Sequence, residues 1–170
     1  MAHSTALPPL SSSAQDLLSL TRECIILFDG AMGTSIQARQ LDAAAFGGPD
    51  YEGCNEYLVL THPQVITDIH EGFLQAGSDI IETNTFGGTR IVLAEYGLQD
   101  KAIEINRAAA QIAKEIANRY STSARPRFVA GSMGPTTKTI SVTGGVTFEQ
   151  MQESYVEQAE GLLLGGVDLL

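Results

Sequence analysis

The chain has 170 residues, 44% apolar and 18% charged, enough to bury the core of about one domain and too apolar for wholesale disorder. Twenty acidic against ten basic side chains give a net charge of −10, which repels nucleic acid and anionic membrane surfaces as partners. No apolar run approaches the ~20 residues of a membrane span, and Met1–Ser13 lacks the parts of a secretory signal, so a cytoplasmic location is expected.

Residues 1–22 are expected to form a mobile Ser-, Pro- and Ala-rich tail and a short helix bearing Leu17, Leu18 and Leu20, ahead of a domain spanning 23–170. Ile25-Ile26-Leu27-Phe28 is a continuous apolar run that suits a strand buried on both faces, ending at Asp29-Gly30. Cys24 leads into this run and is expected to be buried, whereas Cys54, in a Gly-rich polar segment, is expected to be exposed. The two form no metal or redox spacing.

A helix is predicted from about His62 to Ala76, capped by Thr61, with Pro63 in its first turn and Val65, Ile69, Phe73 and Ala76 on its apolar face. Gly77 ends it, and Asp79-Ile80-Ile81-Glu82-Thr83 reads as a strand. The pattern repeats with a helix opened by Asp100, carrying Ile105, Ala109, Ile112, Ile116 and Tyr120, then a strand at Phe128-Val129-Ala130. Thr147 and Gln150 form a capping-box pattern for a helix buried along Met151, Tyr155, Ala159 and Leu162, and Val167–Leu170 begins a fourth strand. Strand and helix alternating at this spacing means βα units and a parallel sheet; a doubly wound sheet and a (βα)8 barrel both remain open on these grounds.

Leu74-Gln75-Ala76-Gly77-Ser78-Asp79-Ile80-Ile81 matches Leu163-Leu164-Gly165-Gly166-Val167-Asp168-Leu169-Leu170 in chemical type at most positions. The first copy runs on into Glu82-Thr83-Asn84, a polar strand tip, while the second stops at Leu170. A strand half built leaves backbone groups unpaired, so the sequence reads as a fragment.

In parallel βα proteins ligands gather at the carboxyl ends of the strands. Three such ends are present, at 28–34, 82–88 and 131–136. Asp29 suits recognition of a ligand ammonium or a cap on the following turn. Asn84 and Thr85 suit ligand hydrogen bonds, with nearby N–H groups for a carboxylate, or a self-stabilising polar turn. Glu82 points into an interior or toward a charged neighbour. His62 and His70 lie eight apart on one predicted helix, which makes no i, i+4 metal pair, and both are read as surface or packing residues. Gly144-Gly145 reads as a turn rather than a phosphate cradle.

The stretch Phe28-Asp29-Gly30-Ala31-Met32-Gly33-Thr34 resembles the first strand and loop of the homocysteine S-methyltransferase family. Gly53-Cys54-Asn55-Glu56, Ala76 to Phe86, Tyr96-Gly97-Leu98, Phe128 to Thr136 and Gly165-Gly166-Val167-Asp168 extend the likeness, most closely to its cobalamin-dependent, methionine synthase type. The resemblance implies a TIM barrel, α/β, of which this chain is the first half, truncated within the fourth strand. It implies that Asp29 binds the homocysteine amino group and that Gly30, Asn84 and Thr85 take its carboxylate. It also implies zinc held by three cysteines, all beyond Leu170, and a methyl group brought to the homocysteine thiol from methylcobalamin and methyltetrahydrofolate by other modules. The fragment alone is therefore expected to be inactive and to bind neither zinc nor cobalamin tightly. The alternative is a non-catalytic truncated paralogue that binds an amino acid or a protein partner.

Overall fold

The computed structural model describes residues 12–141 and 144–170. Helix α1 (Ser12–Glu23) leads to an extended segment around Phe28, then come the short helices α2 (Met32–Gln37) and α3 (Leu58–Thr61) and the longer α4 (Pro63–Ala76). Strand β1 (Ile80–Glu82), α5 (Arg90–Leu93), α6 (Ala102–Tyr120), β2 (Phe128–Ala130) and α7 (Phe148–Gly165) complete the order. The tail predicted before the first helix lies mostly in residues 1–11, outside the described residues.

β1 and β2 pair in parallel, Ile80 opposite Phe128, Ile81 opposite Val129 and Glu82 opposite Ala130. Phe28 bridges Ile80 on one side and Leu169 bridges Ala130 on the other, both in parallel. Four parallel segments thus lie side by side in chain order. A doubly wound sheet instead places its first strand at the centre.

The internal repeat explains how register is set. Asp79 Oδ2 accepts the Leu27 N–H (3.1 Å), and the Asp79 and Ile80 N–H groups both donate to the Leu27 carbonyl. One unit later, Asp168 Oδ2 accepts the Val129 N–H (2.8 Å), and the Asp168 and Leu169 N–H groups donate to the Val129 carbonyl. The Gly-x-Asp repeat is therefore a clamp that fastens β1 and the segment at Leu169 each to its predecessor. Arg125 and Arg127 neutralise Asp79, and Lys114 neutralises Asp168 at 2.6 Å.

Side chains alternate across the strands. Ile81 and Val129 face α4 and α6, where Leu74, Ala113 and Ile116 bury them; each such fully buried aliphatic side chain contributes roughly 2 kcal/mol. Ile80, Phe128 and Ala130 face the other way and meet Leu17 and Leu20 of α1 with Ile26 and Leu169.

Several expectations change. The Ile25–Phe28 run is not buried on both faces: Ile25 is 85% exposed and Phe28 50%, and of the run only Ile26 packs into a core cluster. The cysteines exchange places. Cys24 is exposed, while Cys54 is buried and its thiol is pushed up to about 12, chiefly by burial and then by the Glu56 charge. Thr61 closes α3 and donates to the Tyr57 carbonyl, so α4 starts at Pro63 without a side-chain cap. The buried face of α4 comprises Val65, Ile66, Ile69, His70 and Leu74, rotated from the predicted stripe, and Ala76 is exposed. The capping box of α7 forms as predicted, but its buried face is Ser154, Gln158, Gly161, Leu162 and Gly165. A Cβ on Gly161 would stand 3.0 Å from the Ile103 carbonyl oxygen and one on Gly165 2.7 Å from that of Arg107, so α7 approaches α6 too closely for larger residues.

Candidate functional site

Asp29 follows the first apolar run directly, so the strand delivers its carboxylate to the sheet's carboxyl end with only 3% of the side chain exposed. Its Oδ1 accepts the Glu82 N–H at 2.9 Å, which ties the tip of the first segment to the tip of β1. Its Oδ2 receives no hydrogen bond among the described residues; His70 Nδ1, from α4, stands 4.0 Å away. Burial raises the Asp29 carboxyl from 3.8 to about 7; the Glu82 N–H opposes this and the Glu82 charge adds to it.

A cavity of about 390 Å³ opens beside this carboxylate. The loop after Phe28, residues 29–34, forms one wall; Asn55 and Glu56 form a second; Glu82 to Phe86 and Ser132 form the rest. Two of the three strand ends thus contribute most of their residues, and the third contributes Ser132 alone. Asp29, Glu56 and Glu82 line the cavity, and no Lys, Arg or His does so among the described residues. Such a wall favours a cationic group.

Of the remaining residues expected here, Gly30 lines the cavity in open space. Ala31 beside it adopts a left-handed conformation (φ 53°), unusual for a residue with a Cβ. Asn84 and Thr85 also line the cavity, but their side chains are engaged internally. Asn84 Nδ2 donates to the Asn55 carbonyl (2.7 Å), and Thr85 Oγ1 donates to the Ser132 carbonyl (2.7 Å) while lying 2.6 Å from Thr83 Oγ1. The Asn84 and Phe86 N–H groups meet no acceptor among the described residues, and both residues line the cavity. Glu82 turns into the cavity, where Ser132 Oγ donates to it at 3.1 Å.

A second set of residues holds this loop from behind. Asn106 of α6, fully buried, donates to the Gly88 carbonyl (2.7 Å), and Gln158 of α7, also fully buried, donates to the Thr85 carbonyl (2.7 Å). Glu56 accepts the Gly87 N–H at 2.8 Å. Tyr155 donates to the Gly134 carbonyl at 2.9 Å and secures the third loop, although Gly134, Pro135 and Thr136 do not reach the cavity. None of these roles was expected. The available signal was an amide in the middle of each helix's buried stripe.

Zinc, which the resemblance implies, needs three or four converging donors. No group of three or more His, Cys, Asp or Glu side chains suited to a metal occurs among the described residues, and neither Cys24 nor Cys54 lines the cavity. These residues do not fit a zinc ion. No described helix is long and apolar enough to cross a membrane.

The chain is similar in fold to solved structures of the homocysteine methyltransferase MmuM from Escherichia coli. The metallated form superposes with a TM-score of 0.70 at 24% identity, covering 90% of this chain and 55% of that one. The oxidized form gives 0.71 at 23% identity, covering 94% and 56%. The chain spans about half the length of these relatives. The family model for homocysteine S-methyltransferases matches residues 26–170, and the chain belongs to that family.

Proposed function

We propose that this chain forms the homocysteine-binding half of a thiol S-methyltransferase barrel, in which Asp29 receives the ligand's ammonium. The observation that carries this is the Asp29 carboxylate: buried, held by one backbone N–H, with its second oxygen unbonded beside a cavity whose charged lining is wholly acidic. A cation in that position restores the partner that burial took from the carboxylate. The ligand's carboxylate then lies toward the backbone at Gly30 and the Asn84-Thr85 turn, where N–H donors offset the neighbouring acids. Four parallel segments in chain order, with α1 covering the amino end of the inner face, suit a barrel interior.

Methyl transfer to the thiol, from methylcobalamin in the methionine synthase type, belongs in this reading to a larger enzyme. The share of these residues is to bind and orient the amino-acid end of homocysteine. No set of side chains among the described residues is suited to hold zinc.

Calorimetry with homocysteine, with and without zinc, tests the proposal on this chain. Binding of homocysteine that does not require zinc, and that weakens at least about tenfold in Asp29→Asn, is expected; a tenfold loss corresponds to about 1.4 kcal/mol. Equal affinity in the variant removes Asp29 from the site, and stoichiometric zinc binding overturns the division of labour.

A further inference from the structure

His70 is the one imidazole buried in the described core. Its side chain is fully shielded from solvent, and neither ring nitrogen has a hydrogen-bond partner. Two unpaired nitrogens in the interior are unfavourable, since each was hydrogen-bonded to water in the unfolded chain. The nearest charged atom is Asp29 Oδ2, 4.0 Å from Nδ1, the oxygen that has no donor of its own. The gap exceeds a hydrogen bond by about 1 Å, within reach of a small shift of the ring or carboxylate.

We propose that His70 is a positioning residue for Asp29: a neutral imidazole protonated at Nδ1, which donates to Oδ2 and holds the carboxylate ionised and aimed into the cavity. Neutral histidine has one N–H, and Nδ1 is the ring nitrogen that has a carboxylate oxygen within 4.0 Å. Burial lowers the His70 ring from 6.5 to about 4, so it stays neutral through the physiological range and acts as a dipolar donor rather than an ion-pair partner. The surrounding charges leave this role to His70. α2 and α3, which pack on α4, carry no titratable side chain. α6 meets α4 through the exterior Arg119–Glu71 pair, and β1 brings Glu82, whose negative charge opposes ionisation of Asp29. Without the imidazole donor, only backbone groups favour the charged carboxylate.

The inference rests on the homocysteine reading only for the identity of the cation, and its test uses no ligand. Carbon-13 NMR of the Asp29 carboxyl, identified by its absence in Asp29→Asn, gives its titration midpoint in the full chain. His70→Phe, which fills the space but donates nothing, is expected to raise that midpoint by about one pH unit, tenfold in proton affinity. His70→Asn, whose amide nitrogen can replace Nδ1, is expected to recover at least half of the change. A folded His70→Phe whose midpoint moves by less than about 0.3 unit, or an Asn variant that recovers nothing, overturns the proposal. If the Phe variant does not fold, nitrogen-15 shifts of the unaltered chain decide: an Nδ1–H tautomer supports the role and an Nε2–H tautomer refutes it. Failure of homocysteine to bind would remove the ligand reading and leave this result standing.

Discussion

Ligand affinity should follow the ionisation of Asp29. With its carboxyl raised to about 7, the empty site is part protonated at neutral pH, and a ligand ammonium must displace that proton. If only the carboxylate form binds, affinity scales with the ionised fraction, roughly 0.1 at pH 6, 0.5 at pH 7 and 0.9 at pH 8. Homocysteine binding should therefore tighten about tenfold from pH 6 to pH 8 and release about half a proton at pH 7. The His70 contact would move this curve to lower pH without reversing its direction. Titration calorimetry under reductant, in two buffers of different ionisation enthalpy, measures both quantities. Asp29→Asn should bind weakly and with little pH dependence. Affinity that weakens as pH rises would refute the assignment, because a carboxylate partner can only gain charge over that range, and affinity that is flat from pH 5 to 8 would refute the raised Asp29 value on which the prediction rests.

The same burial has a consequence for stability. Since the folded-state value of Asp29 lies above its unfolded value of 3.8, the folded chain binds more protons between them, and stability falls as pH rises from about 4 to about 7. Asp29→Asn should thus be more stable than the unaltered chain at pH 8, by at most roughly 4 kcal/mol, with the gap closing toward pH 4 in urea denaturation. Gly165→Ala places a Cβ 2.7 Å from the Arg107 carbonyl oxygen, and overpacking outweighs the gain in helix propensity. A net loss of about 1–2 kcal/mol is expected by the same assay, and no loss would show a looser seam between α6 and α7. Asp168→Ala deprives the Val129 N–H and Lys114 of their acceptor and should lower stability by about 2 kcal/mol, whereas an unchanged midpoint would deny the clamp any energetic role.

Much of the architecture was legible because it is written in local signals. The Phe128–Ala130 strand, the Gly77 helix stop and the Thr147–Gln150 capping box each depend on a few neighbouring residues, and each forms as expected. Hydrophobic periodicity read the helix faces less well. In α7 Leu162 is buried as expected, but the other buried positions are Ser154, Gln158, Gly161 and Gly165, because close approach to α6 and support of the site loop select small and amide side chains over large apolar ones. The cysteines were misjudged for a related reason. Cys54 sits in a polar-looking segment that folds inward over Leu58 and Leu98, while Cys24 sits beside an apolar run of which only Ile26 packs into a core cluster. At the site, Asp29 was visible from its place after an apolar strand. Asn55 and Glu56 reach the cavity only through tertiary folding across some thirty residues, which no spacing in the chain reveals.

The two ends of the sheet distinguish Asp29 from Asp79 and Asp168. Asp79 and Asp168 stand where strands enter, and each accepts a backbone N–H from the neighbouring strand and pairs with a cation of this chain. Their charges are satisfied by the fold itself. Asp29 stands where a strand leaves, and it has the matching backbone bond, from Glu82, but no cation. The residues facing it are an uncharged imidazole and a second acid. A buried carboxylate that the fold leaves unpaired is unfavourable by several kcal/mol, and it is relieved either by a proton, in line with the raised value of Asp29, or by a cation from outside. The cavity beside Asp29 has a volume suited to a small molecule and an acidic charged lining, and that asymmetry, more than the presence of an acidic residue, supports the binding role proposed for the carboxyl end of the sheet.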